Sequence, residues 1–410
     1  MKAPPHLTAL DRRRFLKSAS IALAATGVRA RPAWSMPLVS AADLVTGKDP
    51  RLAIHTARPA VFETPAALLA AEQVTPLPLV FVRNSQQPAD AATLAAAKLA
   101  GWKIELAALV ENPQAFDAAV LADLPQVERE MVLQCSGNSR SLFAHSVVTK
   151  GTPWGRGGMA NVRFAGVPLA AVLERFGLKI KPEAKYLTAE GRDDPAPGEQ
   201  DFEHSIPLAE ALKKSLLALR MNGQPLPAIH GGPVRLVTPG FYGTMHVKWL
   251  SSLRFEAGES EHTSQVPHYR TPLEPIAPGQ KFTATLANSE PNWRMKIKCV
   301  VLSPGPDATL SAGSTTFQGV AFNDGEARIA KVLVSPDAGR TWQAAELDVP
   351  ASPYAWYRWH AALKLPPGKQ QVWAMAIDEL GRGQPMDGAI HWNPQGYTWN
   401  GVEKISVTVG

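Results

Sequence analysis

Between Met36 and Phe255 two hydrophobic periods alternate along the chain. Short apolar runs with strand character lie at Leu79–Val82, Glu130–Gln134, Val234–Thr238 and Val247–Leu250. Between them, alanine-rich stretches with helical spacing occupy Ala89–Ala100, Ala115–Ala122, Leu169–Phe176 and Leu208–Leu219. Gly/Pro breaks punctuate this part at Gly151–Pro153, Gly231–Pro233 and Pro239–Gly240. Strands and helices do not alternate strictly enough for a doubly wound sheet, so the pattern predicts an α+β region.

A proline-bearing connector, Pro267 to Pro278, ends that region, and the pattern then changes. From Phe282 to Gly410 the apolar runs are short and β-rich, with turn signals between them: Met295–Leu302, Gly319–Phe322, Ala330–Ser335, Trp356–Leu363, Gln371–Asp378 and Ile405–Val409. This spacing predicts an immunoglobulin-like β-sandwich. A length of 410 residues agrees with two domains. The 45% of hydrophobic and 19% of charged residues describe a folded protein, and the 36 prolines and 31 glycines favour strands and ordered loops over long helices.

Charge changes the picture at one end. The net charge of +6 is carried entirely by the first 33 residues, which hold seven lysines and arginines against Asp11. The remainder is neutral, which removes the basic surface that a nucleic-acid binder needs. Arg12-Arg-Arg-Phe-Leu-Lys17 fits a twin-arginine export signal, followed by a weakly apolar Ser18–Val28 and small-residue cleavage options between about Ala30 and Met36. The apolar part falls short of the ~20 residues of a spanning helix. The expectation is an export signal over residues 1–33, a periplasmic location and no membrane span.

Two cysteines, Cys135 and Cys299, remain to be explained. Cys299 sits in an alternating strand run, Ile297–Val301. Cys135 follows a strand and precedes an abrupt Ser-Gly-Asn turn. By residue pattern alone it is open to a disulfide, a buried filler or a metal ligand. Zinc spacings (CxxC, HExxH) are absent, and no local motif supplies the base that a hydrolytic nucleophile needs. A lone thiolate can instead anchor a soft, high-valent metal whose other ligands come from an organic cofactor.

Several segments, in order, make the chain similar to the sulfite oxidase family of molybdenum enzymes. They are Phe81-Val-Arg-Asn84, Cys135-Ser-Gly-Asn-Ser-Arg140, Ser205–Leu208, Met221-Asn-Gly223 and the long His230–Trp249 run. Val334–Trp342, Gln384-Pro385 and Trp392–Tyr397 continue the resemblance into the second region. It implies a molybdopterin-binding catalytic domain over 34–270 and an immunoglobulin-like dimerisation-type domain over 281–410. It further implies Cys135 as the molybdenum ligand beside a pterin dithiolene, with Phe81, Asn84, Asp193, His230, Arg235 and Lys248 holding the cofactor. Arg83, Arg140 and Tyr269 would line a pocket for sulfite, with Lys150 and Trp154 beside it. Arginine and lysine suit the pterin phosphate through bidentate and point-charge contacts.

Three positions depart from the family pattern. Ser85 replaces a histidine, Phe164 a tryptophan, and the second-domain arginine aligns with Tyr357, with Arg358 one residue later. No haem-attachment motif (CxxCH) occurs. The resemblance therefore implies electron transfer to an external acceptor such as a periplasmic c-type cytochrome, and a homodimer. Related molybdenum enzymes that act on protein-bound sulfane sulfur or on another sulfur or S-oxide substrate are the alternative.

Overall fold

In the computed structural model, residues 40–88 and 97–410 are described. The expected helix at 89–100 and the export segment lie mostly or wholly outside them.

Ser40 to Gly410 form one compact unit, whose first part is built on two sheets. In one, Glu203–Pro207, Tyr186–Glu190, Ser252–Glu256, Lys103–Ala108 and Gln114–Asp117 are neighbours in that order. Only the pair of Lys103–Ala108 with Ser252–Glu256 is parallel. In the other, Gln224–Pro225, Leu216–Met221, Met159–Pro168 and Val127–Gln134 are adjacent, and Arg235–Val237 pairs with Leu216–Ala218. Two helices of seven residues each, Leu169–Arg175 and Leu208–Lys214, pack Leu169, Leu173 and Leu208 into the same core as the first sheet.

The strand Val127–Gln134 positions the chemistry. Its first half (Val-Glu-Arg-Glu) is largely exposed and its second half (Met-Val-Leu-Gln) is buried. Side chains alternate across a strand, so Met131, Leu133 and Cys135 join one cluster with Phe81 and Trp154. Val132 points the other way, into a cluster with Val300, Val320 and Trp356 of the C-terminal part. The strand is thus covered on both faces where the cysteine leaves it.

From Lys298 onward two sheets share one core. Lys298–Ser303, Ser314–Phe322, Tyr357–Lys364 and Glu346–Asp348 form one. Thr309–Leu310, Glu403–Val409, Gly368–Asp378, Ile329–Ser335 and Gln343–Ala344 form the other. All six apolar runs of this region coincide with strands, although Met295–Ile297 and Trp356 precede theirs. Cys299 is 1% exposed between the sheets, and both cysteines are free thiols, which closes the disulfide alternative.

Four expectations upstream are corrected. The helix expected over Leu208–Leu219 stops at Lys214, because Leu216–Met221 is an inner strand buried between neighbours, where a continuous apolar run replaces alternation. Ala115–Ala122 is half strand and half 3-10 turn, broken at Asp117, whose carboxylate accepts from Ala119 N–H at 3.0 Å. Of Leu79–Val82 only Val82 is in a strand, Val82–Arg83, since Leu77–Leu79 form a 3-10 turn that follows Pro76 and contains Pro78. Val247–Leu250 is a loop fixed by three single backbone bonds, Leu236 N–H to Val247 O and Leu250 N–H to Val234 O, both 2.9 Å, and Trp249 N–H to Gly231 O at 3.1 Å.

One buried group sets a pH response. His204 is 1% exposed, donates from Nδ1 to Gln265 Oε1, and its Nε2 has no partner among the described residues. Burial lowers its pKa from 6.5 to about 4. The native state therefore binds fewer protons than the unfolded chain between those values, and stability falls as pH drops from 6.5 toward 4. The loss amounts to on the order of 3 kcal/mol at the acid end. His204→Asn keeps the donor and removes the titration, so its acid-unfolding midpoint is expected at lower pH than wild type. Fluorescence-monitored acid titration measures the shift.

Candidate active site

A cavity partly open to solvent lies at the end of the cysteine strand. Phe81, Arg83 and Ser85 form one wall, Leu133 and Cys135 another, and His230, Arg235, Thr244, His246 and Lys248 a third. Asp193, Phe202 and Tyr269 close it. Eight of the twelve residues expected from sequence therefore meet in one place: Phe81, Arg83, Cys135, Asp193, His230, Arg235, Lys248 and Tyr269.

Backbone geometry fixes each of them. Cys135 N–H donates to Gly158 O at 2.9 Å, and Asn138 N–H returns to Cys135 O at 2.9 Å, closing the turn after the strand. Gly231, at φ +102°, passes so close to Lys248 that a Cβ there would lie 2.8 Å from the lysine side chain. Only glycine suits both that approach and the left-handed backbone. Arg235 donates to His246 O at 2.8 Å and to His230 O at 3.0 Å, tying both ends of this wall together. Tyr269 holds a left-handed backbone at φ +55°, unusual for a bulky residue, with its hydroxyl 3.3 Å from Arg83 Nη2 and from Ser85 Oγ.

The other four lie outside the lining. Asn84 sits directly behind it, 1% exposed, accepting from the Lys248 ammonium and donating to Ala60 O at 3.2 Å. Trp154 is fully buried, edge-on to Phe81 and His55, and belongs to the supporting core. Lys150 is exposed; its backbone N–H bonds Pro394 O at 2.8 Å. Arg140 donates to Gln395 O and Thr152 O, each at 2.7 Å, and its guanidinium lies 5.3 Å from the Tyr397 ring centre. These bonds make it a clamp between the cysteine loop and the C-terminal segment. Arg358 donates to Ala70 O, and Tyr357 is buried in the sandwich, so neither reaches the cavity.

The C-terminal part supplies Tyr397 instead. Its ring stacks on Tyr269, with centres 5.0 Å apart and planes 28° apart, and its hydroxyl donates to Gln395 Oε1 at 2.7 Å. Thr244 and His246 were not singled out from sequence, although both lie inside the His230–Trp249 run.

The charge balance says what the cavity can hold. Arg83, Arg235 and Lys248 face Asp193 as the sole carboxylate of the lining. Burial lowers Lys248 to about 7 and Arg235 to about 9, and it raises Asp193 to about 6. Cations buried without counter-charge are costly, and an anionic occupant removes the cost. His246 Nδ1 is buried with no partner among the described residues, an unmet hydrogen-bonding atom in the same wall. A free thiol, a ring of cations and a polar orphan fit a phosphate-bearing pterin cofactor whose metal takes a sulfur ligand.

Comparison with known proteins agrees. The family profile for an oxidoreductase molybdopterin binding domain matches residues 91–264, and that for a Mo-co oxidoreductase dimerisation domain matches 289–409. Chicken sulfite oxidase (Gallus gallus) is 31% identical over 363 residues, covering 85% of this chain and 76% of that protein.

The chain belongs to the sulfite oxidase family of molybdenum oxidoreductases.

Another family member, human mitochondrial sulfite oxidase, is 31% identical over 376 residues. The match covers 88% of this chain but only 66% of the human protein. Among solved structures, the sulfane dehydrogenase SoxCD from Paracoccus pantotrophus superposes with a TM-score of 0.72 at 26% identity, covering 85% of this chain and 84% of that one. Membership makes the molybdenum cofactor the occupant that the cavity's chemistry fits.

Proposed function

We propose that the protein oxidises sulfite, with water, to sulfate, two protons and two electrons, and passes the electrons singly to an external acceptor such as a c-type cytochrome. The observation that carries this reading is that the Cys135 thiol, the Arg83 guanidinium and the Tyr269 hydroxyl line one cavity. Cys135 would ligate the metal, while His230, Arg235, Thr244, His246 and Lys248 would hold the pterin and its phosphate. When bound, the cofactor supplies the two-electron oxygen-transfer chemistry.

The chain's own residues supply binding and orientation. Arg83 offers a charged fork to the oxygens of a small anion. Tyr269, bonded to Arg83 and Ser85, presents a hydroxyl that hydrogen-bonds the anion or a water, and the stacked Tyr397 limits its ring motion. Phe81 and Phe202 narrow the apolar side of the cavity and so strengthen these polar contacts.

Protein-bound sulfane sulfur is the second reading. It is favoured by the likeness to the sulfane dehydrogenase and by Tyr397, stacked behind the lining residue Tyr269, being the second-domain contact there while Arg358 bonds Ala70 O instead. The deciding experiment loads the purified protein with molybdenum and measures cytochrome c reduction with sulfite and with a persulfidated carrier protein. Sulfite-dependent reduction at molybdenum stoichiometry supports the first reading. Loaded protein that reduces no acceptor with sulfite overturns it.

In the same reading, residues 1–33 direct folded export to the periplasm. Residues 34–270 form the catalytic domain, and the immunoglobulin-like 281–410 mediates homodimer formation. Among the described residues no helix is long and apolar enough to cross a membrane.

A further inference from the structure

Lys48 lies upstream of both family-profile matches, just after a helical turn over Ala41–Leu44 that Ser40 and Asp43 cap reciprocally. Its side chain runs inward and the residue is 6% exposed. The ammonium donates to Leu77 O and Val80 O, both at 2.7 Å, and to Nε2 of His230 at 2.8 Å. Three bonds use all three of its protons, and none goes to a carboxylate. Burial alone lowers its pKa to about 7, as expected for a charge placed there without a counter-ion.

His230 is part of the cavity wall. A ring nitrogen that accepts from an ammonium carries no proton, so the proton of the neutral ring resides on Nδ1. Burial and the surrounding cations keep His230 neutral, its pKa well below the usual value. The ring nitrogen left for an occupant of the cavity is thus a donor.

We infer that Lys48 is a positioning residue for the pterin cofactor, holding His230 in the tautomer that offers Nδ1–H to a cofactor oxygen. The inference rests on the cavity being the cofactor site. Outer-shell partners that fix a ligand's tautomer are typically worth 10–100-fold in metal affinity or activity, and the same scale is expected here for cofactor retention.

The test measures molybdenum and released pterin per protein in purified full-length wild type, Lys48→Met, Lys48→Gln, His230→Ala and the Lys48→Met/His230→Ala pair. Circular dichroism confirms that each is folded. Lys48→Met is expected to retain at least tenfold less cofactor, and Lys48→Gln, whose amide can still donate to Nε2, to recover part of it. On a His230→Ala background, Lys48→Met should change retention less than twofold, because its partner is gone. Wild-type cofactor content in Lys48→Met overturns the inference, as does a double variant in which the two losses multiply. Should Lys48→Met fail to fold, Lys48→Gln decides: full wild-type retention on the intact background, or a loss of the same size when His230 is alanine, overturns it. A wild-type protein without molybdenum, expressed where the cofactor is made, counts instead against the cavity being the cofactor site.

Discussion

Cys135→Ser is expected to abolish sulfite-dependent turnover while leaving the fold intact. The substitution removes a soft sulfur donor and offers a harder hydroxyl oxygen in its place. Because the changed group would be the ligand itself, the loss should exceed the roughly 10–100-fold that follows from altering an outer-shell partner. The local structure depends on backbone bonds that serine retains, Cys135 N–H to Gly158 O and Asn138 N–H to Cys135 O. The melting temperature of the apoprotein should therefore move little. Steady-state assay, metal analysis and calorimetry together measure the separation. A Cys135→Ser protein with undiminished turnover and metal content would remove Cys135 from the chemistry.

Arg83→Gln should give the second-largest change, of a different kind. The introduced amide would keep hydrogen-bonding capacity and lose the charge that meets the anion. Truncating one member of a buried, hydrogen-bonded charge pair costs about 2–5 kcal/mol, so kcat/KM is expected to fall on the order of 100-fold. Because the anion is held before it reacts, most of that should appear as a higher KM. Arg83→Lys restores the charge without the fork and should recover only part. A kinetic series over sulfite concentration at fixed acceptor checks the division between KM and kcat. A fall confined to kcat would mean that Arg83 acts on the reaction and not on the binding of the anion.

The parts of the site that the sequence exposed are those carried by contiguous runs. Cys135 sits in a turn whose Ser, Gly and Asn announce it, and His230, Arg235 and Lys248 share one uninterrupted stretch. The residues that went unread depend on distant pairings. Lys48 reaches His230 across 182 residues, from a segment without strand or helix period. Tyr397 meets Tyr269 only after the C-terminal segment folds back over the connector. Arg140 was expected at the anion, yet its Nε and Nη1 donate to the carbonyls of Gln395 and Thr152, a competition that spacing does not reveal. The six sandwich runs were legible because short β-rich stretches between turn signals have no helical competitor. The Leu208–Leu219 run misled because leucine and alanine serve a helix and a doubly covered strand equally well.

The contact of Gln395–Tyr397 with Arg140 and Tyr269 bears on protein engineering. Exchanging the C-terminal sandwich with that of a relative looks like a neutral graft at the Pro267–Pro278 connector. It would in fact replace the carbonyl that holds Arg140 and the ring that covers Tyr269. Lys298, which reaches back from the sandwich to Ser139 Oγ at 2.8 Å, would be exchanged with them. Such a chimera carries the donor's roof over the recipient's cavity. Substrate preference in hybrids should then follow the origin of residues 395–397 as well as the origin of the cysteine loop.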